Sequence, residues 1–111
     1  MDLVTAIQND RENFLAAVDE QREAGITLAT KESQYQSAKH TTALSLKQDG
    51  YPATMIQMIL KGDKRVRDAL FARDCAQIEY EAAKERVNAL KLSARLLENQ
   101  LQREWYSGGN I

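Results

Sequence analysis

One cysteine, one proline and five glycines stand in 111 residues, and each scarcity closes off a class of structure. The lone thiol, Cys75, leaves no intrachain disulfide and no multi-cysteine metal site, and an intracellular, cytoplasmic setting follows. A chain this poor in proline, with 43% hydrophobic and 28% charged residues, is folded and helix-rich rather than disordered. No sign of charge dominates: the net charge is −1, which argues against a general nucleic-acid coat. Nowhere do eighteen apolar residues follow one another, so no membrane span is expected. Met1–Asp10 has neither the basic flank nor the long apolar core of a secretory signal. A single histidine excludes paired imidazoles at a metal spacing, and no glycine-rich phosphate cradle is present. No enzyme, cofactor or metal centre is expected on these grounds.

What is present is a long heptad. Ala76, Tyr80, Ala83, Val87, Leu90, Ala94, Leu97 and Leu101 follow one another at alternating steps of four and three residues. That spacing predicts one helix over 63–105, whose forty-three positions would span roughly 65 Å. Tyr80, Ala83, Val87, Leu90, Ala94, Leu97 and Leu101 are read as the core facing a partner helix, and Trp105 continues the spacing as an end-packing residue.

The partner is the first half of the chain, about 3–48, where Ile7, Phe14, Val18, Leu28, Tyr35, Thr42 and Leu46 make a less regular stripe that improves if Ala24 and Ala38 are used. Asn9 or Asp10 is a candidate cap near its start. Gly25 leaves two readings open, a continuous helix or a break between about 3–23 and 26–48. Between the long helices, Asp49-Gly50-Tyr51-Pro52 stops the first, a short helix covers 52–60, and Asp63 is placed to cap the next. Ser107-Gly108-Gly109-Asn110 reads as a flexible tail within 106–111. The expected fold is therefore all-α, a single domain built as an elongated antiparallel helical hairpin, coiled-coil-like, with a short capping helix between two long ones.

A second apolar stripe runs beside the first on the same helix: Phe71, Cys75, Ile78, Ala82, Ala89, Leu92 and Leu96, interrupted by Glu85. Two stripes exceed what one partner helix covers, so a homo-oligomer, a dimer first of all, is expected to use the second. Cys75 reads as a small apolar packer in that band, not a nucleophile. Tyr51, Met55 and Met58 form a candidate partner-binding patch, although the apolar face of the short helix is first expected to cover the core. Lys61, Lys64, Arg65, Arg67 and Arg73 form the one basic cluster, a candidate phosphate-binding patch diluted by Asp63, Asp68 and Asp74. Glu81, Lys84, Glu85 and Arg86, with Lys91, Arg95 and Glu98, read as a solvated exterior.

Asp49-Gly50-Tyr51-Pro52, Lys61-Gly62-Asp63-Lys64, Arg73-Asp74, Glu79-Tyr80-Glu81-Ala82-Ala83, Leu90-Lys91, Arg95-Leu96-Leu97-Glu98 and Arg103-Glu104-Trp105 together resemble a family of small, uncharacterised proteins encoded by bacteriophages and prophages of Gram-positive bacteria. The likeness covers roughly Gly25 to Trp105. It implies an early-gene setting near DNA replication and recombination, and no activity or catalytic residue. The function expected from all this is a non-catalytic interaction protein, a helical adaptor or scaffold for a phage or host protein. The alternative is a DNA-binding accessory protein that uses the basic cluster.

Overall fold

The structure, a computed structural model, describes residues 2–109. It is all-α: α1 (Leu3–Gln48), α2 (Ala53–Gly62) and α3 (Lys64–Glu104), followed by a π-helical turn over Trp105–Gly109. Ser107–Gly109, expected as part of a flexible tail, belong to that turn, while Asn110 lies outside the described residues. The chain packs as two compact units, one pairing the α1 residues up to Glu23 with α3 from Glu81 onward, the other comprising Ala24–Tyr80.

In the first unit α1 starts earlier than Asn9 or Asp10 would have it. Asp2 is the cap: its carboxylate accepts a hydrogen bond from the Thr5 N–H at 2.7 Å and its carbonyl one from Ala6. These bonds, first the backbone N–H of Thr5 and then its side chain, hold the Asp2 carboxyl below its ordinary value. The cap is therefore present above the unfolded-state value and lost as pH falls through the depressed folded one.

The α1 face toward α3 carries Ile7, Asp10, Phe14, Ala17 and Gln21, of which Ala17 is buried. Val18, expected inside, is exposed, because the register runs through Ala17. Ala83 and Val87 are buried opposite, with Leu90, Ala94 and Leu97 half-buried. Leu101 and Trp105 are exposed, contrary to their expected packing. The pairing that sets Ser93 beside Asp10 reaches the start of α1 near Leu101, so no α1 residues remain to cover them.

Asp10 is a polar member of this seam. Ser93 Oγ donates to its Oδ1 at 2.9 Å, and Oδ2 is buried without a partner. Removing one partner of such a bond leaves the other desolvated. Ser93→Ala is expected to lower stability by about 1–3 kcal/mol, whereas adding Asp10→Val to it is expected to return the urea midpoint to or above wild type.

The second unit holds the elbow. Gly50 has φ +90°, a left-handed conformation that side chains rarely adopt. Its N–H bonds the Lys47 carbonyl and the Tyr51 N–H bonds that of Leu46, which closes the end of α1. Pro52 then enters α2, and Asp63 Oδ1 accepts from the Val66 N–H at 3.1 Å to cap α3. Between these turns Ile56, Leu60 and Val66 are buried against Tyr35, Ala43 and Leu46. One face of α2 thus covers the core while Met55 and Met58 point away from it.

Gly25 makes no break: α1 runs through it. A Cβ there would stand 3.4 Å from Tyr80 Cε1, ordinary van der Waals contact. Glycine costs about 1 kcal/mol relative to alanine inside a helix. Gly25→Ala is therefore expected to stabilise the protein by about 0.5–1 kcal/mol, read as a higher urea midpoint. A lower midpoint would mean that the tyrosine ring cannot accept the methyl.

Candidate functional site

The residues turned toward α1 along α3 set a heptad frame in which Ala76, Ala83, Leu90 and Leu97 occupy one core position and Tyr80, Val87 and Ala94 the other. In the same frame Phe71, Ile78, Glu85 and Leu92 recur every seven residues, as do Cys75, Ala82, Ala89 and Leu96. The sequence sets this second stripe beside the first. The helical register puts it roughly 155° around α3, on the back of the helix from α1.

Exposure agrees with that placement. In the second unit Phe71 is 71% and Ile78 68% exposed, and Cys75 is exposed as well, not packed away. In the first unit Leu92 is 54% and Leu96 58% exposed, and Ala82 and Ala89 are open to solvent. Scattered apolar side chains on a surface need no explanation. A heptad of them does. The stripe is also denser than the exposed apolar residues of α1: Val4, Leu15, Val18, Ile26 and Leu44 lie eleven, three, eight and eighteen residues apart, with Gln8, Arg11, Arg22, Ser33 and His40 exposed between them.

No family model, curated protein or solved structure matches this chain. The site must therefore be read from its own chemistry. On either side of the exposed heptad the first part of α3 carries Asp74, Glu79 and Glu81, and the later part Arg86 and Arg95. Glu81, Arg86 and Arg95 read as ordinary exterior in the sequence, because the meaning of such charges depends on which face they border. Arg86 Nη1 donates to both carboxylate oxygens of Glu20 within the first unit, which leaves it further N–H donors. Lys84 pairs with Glu81 at 3.8 Å.

Two members of the basic cluster are paired with carboxylates. Lys64 Nζ donates to Asp68 at 2.8 Å, and this bond and the attraction behind it raise the lysine above its ordinary value. That contribution is complete below the unfolded-state value and fades as pH rises through the elevated folded one. Arg73 sits at a core-facing position of α3, 3.3 Å from Glu32 and 5.4 Å from the centre of the Tyr35 ring. Its Nε also lies 3.1 Å from Asp74, an electrostatic contact whose geometry is not that of a hydrogen bond, so that nitrogen stays unsatisfied. Lys61, Arg65 and Arg67 are exposed, on two different helices.

Tyr51, Met55 and Met58 are all exposed around α2, while Ile56 and Leu60 are buried. The short helix thus both covers a core and presents a methionine-bearing surface. Among the described residues no group of three or more histidine, cysteine, aspartate or glutamate side chains is placed to hold a metal ion. No described helix is long and apolar enough to cross a membrane.

Proposed function

We propose that this chain is a non-catalytic helical interaction protein that self-associates through the back face of α3 and serves as an adaptor or scaffold for another protein. The observation that carries this reading is the exposed heptad from Phe71 to Leu96, which lies on the side of α3 away from its core-facing residues. Covering an apolar side chain of this size stabilises an association by about 1.5–3 kcal/mol, so a few such residues suffice to drive one. The exposed Tyr51, Met55 and Met58 around α2 supply a second surface for the protein partner. A phage or prophage product acting in the host cytoplasm, with a phage or host protein as partner, is the setting in which the motif resemblance puts this role.

Direct DNA binding is the weaker reading, since two of the five basic residues it needs, Lys64 and Arg73, are already committed to carboxylates.

Cys75 reports on the proposed face. Its thiol is exposed in the single chain and would be covered in the assembly. The rate at which a soluble disulfide reagent labels it should fall as protein concentration rises through the micromolar range. A rate independent of concentration would reject self-association through this face.

A further inference from the structure

The exposed face of α3 also specifies how a second copy sits on it. We propose that two chains pair α3 against α3 antiparallel, with the two-fold axis between Ala82 and Glu85; this rests on the self-association read above. In an antiparallel helix pair the two alternating seam positions face each other, one from each chain. Centred there, Phe71 lies opposite Leu96 of the second copy and Cys75 opposite Leu92. The whole apolar run is used, with no overhang at either end. Toward the axis large side chains meet small ones: Ile78 falls on Ala89, and Ala82 on the aliphatic stem of Glu85. Such alternation fills space without strain.

Charge decides the direction. In this register Asp74 of one chain borders Arg95 of the other, and Glu79 borders Arg86. By symmetry each pair occurs twice. A parallel, in-register pair would instead set Asp74 beside Glu79, gain only Glu81 beside Arg86, and place Glu85 directly against Glu85 in the seam. Like charges opposed in a contact work against it. Sliding the antiparallel pair by one heptad fails too, because it sets Arg86 against Arg86 and leaves Phe71 facing Arg103.

Oxidative cross-linking reads the register directly. Cys75 is the sole cysteine, and position 92 lies seventeen residues further along the same helix, roughly 25 Å away. A disulfide needs Cα atoms within about 7 Å, so the two cannot join within one chain. Three proteins are compared on non-reducing gels after mild copper-catalysed oxidation: wild type, Leu92→Cys, and Leu92→Cys with Cys75→Ser. Only the chain with both thiols should give the covalent dimer efficiently, at least about tenfold faster than either single-thiol protein. Position 92 is exposed in the single chain, so the fold is not at stake.

A covalent dimer from each single-thiol protein would establish the parallel arrangement and overturn the proposal. No cross-link in any of the three, with a dimer by sedimentation, would also overturn it while leaving self-association standing. A monomer by sedimentation would remove both. Charge exchange supplies an independent check. Asp74→Arg or Arg95→Asp alone should weaken the dimer by about three- to tenfold, and the two together should restore it. Failure of the double exchange to restore it would contradict the register.

Discussion

Ile78→Glu combined with Leu92→Glu is expected to raise the dissociation constant for self-association at least about 100-fold while leaving the helices in place. Each side chain is more than half exposed in the single chain, so the fold has little to lose. In the assembly each is covered, and two-fold symmetry counts every substitution twice. Losing one buried Ile or Leu costs about 1.5–3 kcal/mol, and burying a carboxylate costs more. A 100-fold weakening corresponds to about 2.7 kcal/mol, so the expected effect is a lower bound. Sedimentation should show a monomer at concentrations where wild type is dimeric, with unchanged helical circular dichroism. Val4→Glu, an exposed site on α1 away from the proposed α3 face, is the matched control and should leave association unaltered.

The second large effect concerns the fold itself. Leu60→Ala is expected to cost about 2–4 kcal/mol. Leu60 is one of three buried residues that close the elbow unit, together with Ile56 and Val66. Removing its isobutyl group leaves a cavity that Tyr35, Ala43 and Leu46, held by α1, can only partly fill. In a chain of this size each kcal/mol lowers the thermal midpoint by several degrees, so a drop on the order of 10 °C is expected in a circular-dichroism melt. Met58→Ala on the same short helix should change it little, since that side chain is largely exposed. Equal losses at both positions would mean that α2 buries a different face from the one described.

These contrasts show where the sequence speaks and where it is silent. On α3, apolar residues recur at the heptad spacing with few polar intruders, so the helix, its core face and its exposed stripe are all visible in the letters. The elbow is visible for a different reason. A left-handed glycine followed by proline has few conformations, and Gly50 and Pro52 adopt the expected ones.

The register of α1 is hidden because polar residues occupy its core line. Asp10, Gln21 and Lys31 face α3, so hydrophobicity alone favours Val18 over the true inward residue, Ala17. Only Ser93, supplied from the other helix, makes Asp10 intelligible there. The ends were equally illegible. Whether Leu101 and Trp105 are covered depends on where α1 begins, and the Asp2 cap that fixes that point involves a single residue and one turn. The direction of the second stripe needed the structure as well. Spacing identifies two stripes but sets the second beside the core line, whereas the register of α3 carries it to the back of the helix.

Sedimentation equilibrium of the wild-type protein across low to high micromolar concentration tests the central claim most directly. The account predicts a mass that rises with concentration toward twice that of the chain, with Ile78→Glu/Leu92→Glu held at the single-chain mass throughout. A wild-type protein that stays monomeric over the whole range would contradict it.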